Sequence, residues 1–358
     1  MAQKNDTPAL IVALLITVGL IGGGLWWLRQ QPGGIAGLIN GGNNSASPTP
    51  TDSPTPAPTA VTPTASGNNF SSVANVPSGL FNYGGSTSWA PIRSTIDPQM
   101  TAAFSNFQLR YTDPVSGQAG SATGIRMLLD NQLAFAQSSR SFSAQENQEA
   151  QQRGFALKAI PVAIEGIAIA VHPDLNLPGL TIEQLRGIYT GTITNWSQVG
   201  GPNLPITAFS RRVEDSGTVE FFVENVLGGT SLGASVRSIG TTTEALRAVA
   251  SDRGGIYFAS APEVVGQCTV KPLAIGRQAG QFVAPYQGEI FLSPQCPGQR
   301  TQLNIDALRN NYPLTRQLFV IVKQNGQADQ QAGEAYANLL LTSQGQDLLR
   351  QAGFVPIR

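Results

Sequence analysis

Apolar residues recur at helical spacing in several separate stretches of the chain, with strand-type runs between them. Val219, Phe222, Val223 and Val226 fall at i, i+3, i+4 and i+7, one buried face of a helix. Ile125, Leu128 and Leu129 form a second such face, and Leu185, Ile188 and Tyr189 a third. Strand-type runs cover Leu133 to Gln137, Pro161 to Val171, Gly254 to Ala259 and Tyr312 to Val322. This alternation, from about Ser78 onward, predicts an α/β domain with a largely parallel sheet. Its length of about 280 residues suits two lobes better than one core. Thr241 with Glu244 reads as a capping box, and Ser343 with Gln346 as the cap of a last helix closed by Gly353.

The start of the chain has a different pattern. Ala9 to Leu28 is apolar and uncharged, the length of a bilayer-crossing helix, with Lys4 before it, Arg29 after it and Trp26 and Trp27 at its far end. Residues 1–30 therefore read as an uncleaved membrane anchor that leaves the rest of the chain outside the cytoplasm. Residues 31–77, rich in Pro, Thr, Ser and Gly, cannot bury enough apolar surface to fold and read as a disordered tether.

Charge and composition narrow the chemistry. The 22 basic and 22 acidic residues sum to zero, which argues against nucleic acid as a partner. Only 12% of residues are charged, so an anion site here must rely on local dipoles and one or two arginines. Cys268 and Cys296 are the only cysteines, and in an exported domain they are expected to pair. With His172 as the single histidine there is little material for a metal site, and Asp215-Ser-Gly-Thr218 lacks the pattern of a hydrolase nucleophile. No enzyme, metal or cofactor is expected.

Helix starts supply the candidate chemistry. Ser216-Gly-Thr218 precedes one apolar face, and Gly120-Ser-Ala-Thr-Gly124 runs into another. Such residues leave the first N–H groups of a helix available, and free N–H groups beside an arginine suit a small oxyanion. Ser138, Ser139 and Arg140 fall at the end of a strand, where ligands collect in open α/β sheets.

Gly85-Ser-Thr-Ser-Trp-Ala-Pro91, Gly120-Ser-Ala-Thr-Gly124 and Arg211-Arg-Val-Glu-Asp-Ser-Gly-Thr218 occur in that order. Leu185 to Trp196, Tyr312-Pro-Leu-Thr-Arg316 and Gln351 to Pro356 accompany them. Together these segments resemble the phosphate-binding proteins of phosphate ABC transporters. The resemblance implies a two-lobed type II periplasmic-binding-protein fold, with lobe I at about 78–163 plus 314–358 and lobe II at about 164–313. It implies a monomer that holds inorganic phosphate for permease subunits in the membrane. Carried over by position, the site comprises Thr87, Ser88, Ser121, Ser139, Arg140, Arg212, Ser216, Gly217 and Thr218, with Glu214 holding Arg212. Ser139 departs from the family pattern, whose well-known members place an aspartate there to accept the proton of hydrogen phosphate and repel sulfate. That departure leaves sulfate, arsenate and molybdate open as ligands, and sensing open as a role.

Overall fold

The computed structural model describes residues 68–213 and 216–358. The anchor expected at 1–30, most of the tether expected at 31–77, and Glu214 lie outside the described residues. Among those described, no helix is long and apolar enough to cross a membrane. The folded part begins ahead of Ser78, because Phe70 is buried in a core and its N–H donates to Gln344 Oε1 at 2.9 Å.

The first half of the domain runs β1 (Gly79–Gly85), α1 (Ala90–Ala103), β2 (Phe107–Tyr111), α2 (Ser121–Leu129), β3 (Phe135–Ser138) and α3 (Ala144–Gln152). A single 3-10 turn, Thr87–Trp89, leads into α1. The chain then crosses the molecule in β4 (Ala156–Val171), whose apolar run predicts a strand buried along most of its length. The second half comprises α4 (Ile182–Thr190), β5 (Thr207–Ser210), α5 (Gly217–Asn225), β6 (Arg237–Ser238), α6 (Thr242–Ser251), β7 (Gly255–Ser260), α7 (Ala261–Val265), β8 (Lys271–Leu273) and α8 (Ile305–Asn310). A second crossing, β9 (Thr315–Gln324), returns to the first half, and α9 (Ala328–Leu341), α10 (Ser343–Gln351) and β10 (Val355–Pro356) finish the chain.

These ten strands form one sheet with the path β2-β1-β3-β9-β4-β7-β5-β6, while β8 and β10 pair on β4. The expectation of a largely parallel sheet holds only for its two outer parts. There β1 pairs parallel with β2 and β3, and β5 parallel with β6 and β7. The centre is antiparallel: β9 lies against β3 and β4, and β4 against β7, β8 and β10. The reason is connectivity. Two halves joined by one strand going out and one returning must pair those strands in opposite directions.

Each side of the crossing has its own apolar core. On the first, Phe81, Tyr83, Trp89, Phe135, Val162, Val320 and Tyr336 pack together, and α2 buries Ile125, Leu128 and Leu129 in an adjoining cluster. On the second, Tyr189, Phe222 and Phe258 meet with ring centroids 3.8–5.1 Å apart, which seats α5 between α4 and β7. Cys268 and Cys296 are joined as a disulfide with a Cα separation of 5.4 Å, as expected. Thr181 and Thr241 cap α4 and α6 with capping boxes. The cap of α10 is Thr342, not Ser343, because Thr342 Oγ1 takes the Gly345 N–H. Gln346 is instead buried, donating to the Val162 and Leu340 carbonyls.

Gly124 shows how closely the site-bearing elements are packed. A Cβ on it would lie 2.5 Å from the Gly85 Cα, so α2 can approach β1 only without a side chain there. Gly124→Ala should destabilise the domain by about 1–3 kcal/mol, the usual range for overpacking a filled core. Urea denaturation measures this, and an unchanged midpoint would contradict the packing described.

Candidate functional site

Six helices show how their first N–H groups are treated. Away from the crossing, α3, α4 and α6 each open on a capping box, from Ser143, Thr181 and Thr241. The other three differ. Ser86 and Ser216 make no side-chain bond to the helical segments they precede, and Gly120 has no side chain with which to make one. Thr87–Trp89 leading into α1, together with α2 and α5, thus begin with amides that no side-chain cap satisfies. Each presents the positive end of its dipole.

These three starts are held together by direct contacts. The Ser139 N–H donates to Ser121 Oγ at 3.0 Å, and the Ser86 and Ser139 hydroxyls are hydrogen-bonded at 2.6 Å. Trp89 Nε1 donates to the Ser138 carbonyl at 3.2 Å, locking the start of α1 to the end of β3. Across the molecule, Ser88 Oγ and Thr218 Oγ1 lie 3.4 Å apart, and a Cβ on Gly217 would sit 3.4 Å from Ser121 Oγ. The first half therefore meets the N-terminus of α5 at two points.

A buried ion pair stands behind this meeting. Arg316 of β9 donates through Nε to Glu165 Oε2 of β4 at 2.7 Å, with both side chains almost wholly buried. Its Nη1 donates to the Gly217 carbonyl at 2.7 Å, and its Nη2 to Ser88 Oγ at 2.7 Å and Thr218 Oγ1 at 2.9 Å. Because each hydroxyl accepts from the guanidinium, its own proton is left to point elsewhere. Beside them lies a cavity of about 60 Å³, lined by Thr87, Ser88, Arg211, Ser216, Thr218, Thr242, Tyr257, Ala259 and Glu263. One water needs roughly 10–15 Å³ by this measure, so the space holds a few waters or one small anion.

The expected site residues divide between two places. Thr87, Ser88, Ser216 and Thr218 line the 60 Å³ cavity. Ser121, Ser139, Arg140 and Gly217 line a smaller one of about 20 Å³, with Glu220, Phe221 and Glu224. Arg140 is held by carboxylates: it forks onto Glu146 with two bonds of 2.9 Å, and its Nε reaches Glu220 of α5 at 3.2 Å. The hydrogen bonding it donates to Glu146 is the main reason its guanidinium is more basic than usual. Arg212 is exposed, whereas Arg211 is half-buried and lines the larger cavity.

Sequence reading missed Arg211 as the inward member of its pair, along with Arg316, Glu165, Thr242, Tyr257 and Glu263. Two of these groups are strongly shifted. Burial, with Glu263 close by, pushes the Tyr257 phenol up to about 12. Burial first, and the Glu165 carboxylate second, push Glu263 up to about 7. Among the described residues no group of His, Cys, Asp and Glu is placed to hold a metal ion.

A family model described as a PBP superfamily domain matches residues 54–344. The chain belongs to the PBP superfamily. Its fold is accordingly the α/β type II periplasmic-binding-protein kind, and the superfamily is one of solute-binding proteins. The phosphate-binding protein PstS of Staphylococcus haemolyticus (strain JCSC1435) is 25% identical over 275 residues, 76% of this chain and 79% of that protein. The protein of the same name from Staphylococcus aureus (strain COL) is 24% identical over 275 residues, 76% of each. Among solved structures, a putative phosphate ABC transporter substrate-binding protein with bound phosphate from Clostridium perfringens superposes with a TM-score of 0.61 at 21% identity, over 78% of this chain and 100% of that one. An ABC-type phosphate transport receptor from Vibrio cholerae gives a TM-score of 0.58 at 22% identity, over 78% and 100%.

The buried pair makes a quantitative prediction for this PBP-superfamily domain. Arg316→Ala leaves Glu165 charged and buried without its partner, and should cost about 3–5 kcal/mol of stability. Removing both charges together, as Glu165→Gln with Arg316→Gln, should recover part of that loss in the same denaturation assay. Equal losses in the single and double variants would contradict the coupling.

Proposed function

We propose that this chain is an extracytoplasmic solute-binding protein that captures inorganic phosphate and presents it to the permease subunits of an ABC transporter. The observation that carries the reading is the 60 Å³ cavity, where helix starts without side-chain caps, inward hydroxyls and Arg211 face one small volume. A tetrahedral anion there accepts from Ser88, Ser216, Thr218 and Thr87 and from the amides opening α5. Arg211 supplies the formal charge and a fork of donors. Relatives named as phosphate-binding proteins, at about a quarter identity over three-quarters of the chain, support the choice of phosphate.

Arg212, expected from the sequence as the ligand arginine, is assigned to the rim in this reading. Ser121, Ser139 and Gly217 form the adjoining wall. Arg140, held by Glu146 and Glu220, ties that wall to α5 and makes no contact with the anion. Capture is reversible binding by a monomer, without chemistry on the anion and without metal or cofactor. Residues 1–30 anchor the chain in the cytoplasmic membrane, and the tether of 31–67 holds the binding domain outside.

Two measurements test the reading. Calorimetry on the full-length chain should show micromolar or tighter phosphate binding. Arg211→Ala should weaken it at least about tenfold, because one charge-assisted hydrogen bond is worth about 1.5–3 kcal/mol. Arg212→Ala should stay within about threefold of the parent. The reverse ranking of these two variants would refute the assignment. Separately, the full chain should stay with membranes through alkaline carbonate washing, and a chain lacking 1–30 should not. Release of the full chain would rule out the anchor.

A further inference from the structure

A second and much larger cavity adjoins the 60 Å³ one, and capture of inorganic phosphate makes no use of it. It measures about 500 Å³, inside the range of about 300–1,000 Å³ usual for small-molecule sites. The two cavities share Thr87, the first residue of the 3-10 turn that leads into α1. Ala90 and Arg93, three positions apart on α1, line the larger one. Tyr111 at the end of β2 lines it too, with Asp113 and Gln118 from the loop ahead of α2. It therefore lies at the carboxyl ends of the parallel strands β1 and β2, where open α/β sheets hold ligands.

Arg93 is fixed in this cavity by the fold itself. Its Nη1 donates to Gln137 Oε1 at 2.9 Å and to the Ser86 carbonyl at 3.3 Å. Gln137 Nε2 in turn donates to the Tyr336 hydroxyl at 2.9 Å, deep in the first core. The guanidinium carbon lies 4.0 Å from the centroid of the Tyr111 ring, a cation–π contact. The Nε and Nη2 of Arg93 have no hydrogen-bond partner among the described residues. Asp113 is exposed, and its carboxylate makes no hydrogen bond or ion pair among the described residues. Both charges face the same ring: burial raises the Tyr111 phenol most, Arg93 opposes that and Asp113 adds to it. The lining thus carries spare donors and a spare acceptor.

These groups select among the substituents that an anion could carry. Arg93 and Asp113 cancel formally, so a second phosphate group gains no net attraction there. An apolar group finds no open ring, because Arg93 covers one face of Tyr111 and Tyr83 meets that ring edge to face at 5.8 Å. Hydroxyl groups suit the lining, since each one both accepts, from Arg93, and donates, to Asp113. We propose that the larger cavity is a subsite for the alcohol part of a phosphate monoester, so that the domain binds phosphate esters of small polyols as well as inorganic phosphate. The inference rests on the phosphate reading of the smaller cavity. The phosphate group occupies that cavity, the ester oxygen passes Thr87, and the polyol hydroxyls meet Arg93 and Asp113.

Calorimetric titration of the full-length chain with inorganic phosphate, glycerol 3-phosphate and propyl phosphate tests this. Propyl phosphate keeps the carbon skeleton of the glycerol ester without its hydroxyls. Native mass spectrometry of each complex identifies the anion retained, so free phosphate in an ester sample is not mistaken for the ester. Glycerol 3-phosphate is expected to bind within about tenfold of inorganic phosphate, and at least about tenfold tighter than propyl phosphate. Arg93→Ala and Asp113→Ala should each weaken the glycerol ester at least about fivefold and leave inorganic phosphate within about twofold of the parent. Asp113 is exposed and unbonded among the described residues, so its substitution reads the subsite without disturbing the fold. Inorganic phosphate bound without the glycerol ester, or equal affinities for the two esters, overturns the proposal. So does an Asp113→Ala chain whose ester-to-phosphate ratio is unchanged. A glycerol ester bound where inorganic phosphate is not refutes capture of inorganic phosphate and upholds the subsite. Failure of all three anions to bind refutes the oxyanion reading, and the subsite with it.

Discussion

The arrangement depends on the Arg316–Glu165 pair, buried where β9 and β4 cross between the two cores. Burying two opposite charges is costly, and the cost is offset only when the remaining donors are satisfied. Here the other guanidinium nitrogens reach Ser88, Thr218 and the Gly217 carbonyl. One side chain thus joins the crossing strands, the start of α1 and the start of α5. It also engages the Ser88 and Thr218 hydroxyls as acceptors. An apolar side chain at 316 could fill the space without making those bonds.

The second constraint is electrostatic economy. In a chain with only 12% charged residues, helix starts are a source of positive potential that needs no added charge. Helices away from the crossing are closed off by Ser143, Thr181 and Thr241. Helices that face the cavity are left open at their first turn. The rule is not general, because Gln327 also leaves α9 without a side-chain cap, but the three starts that meet at the crossing share it.

Much of this was legible in the sequence, because helix starts are written in short-range residue types. Ser216-Gly-Thr218 at the opening of α5 and Gly120-Ser-Ala-Thr123 at the opening of α2 announced both elements. What escaped depends on contacts far apart in the chain. Nothing near Arg316 signals Glu165, which lies 151 residues away and meets it only through the β4–β9 register. Glu263 sits on a five-residue helix with no periodicity, and only tertiary packing brings it to the cavity. The choice between Arg211 and Arg212 was hidden as well. Arg211 lines the cavity and Arg212 is exposed, a difference that two identical neighbours in a loop do not announce. The antiparallel centre of the sheet was likewise hidden, since local patterns mark strands but not their directions.

The sheet path has a temporal meaning as well as a spatial one. The first core is assembled from β1, α1 and β3 together with β9 and α9, so Phe81 and Phe135 wait for Val320 and Tyr336. Tyr83 and Tyr336 both donate to Asp97, and that carboxylate lacks one of its two donors until the late segment arrives. Even β4 is not fully paired before Val355 and Pro356 dock on it. Contacts of such long sequence separation form slowly. The leading half of the domain therefore cannot complete its core while the trailing half is still being made. In a nascent chain with this topology the second core can close first, and the first core, though begun earlier, is completed last.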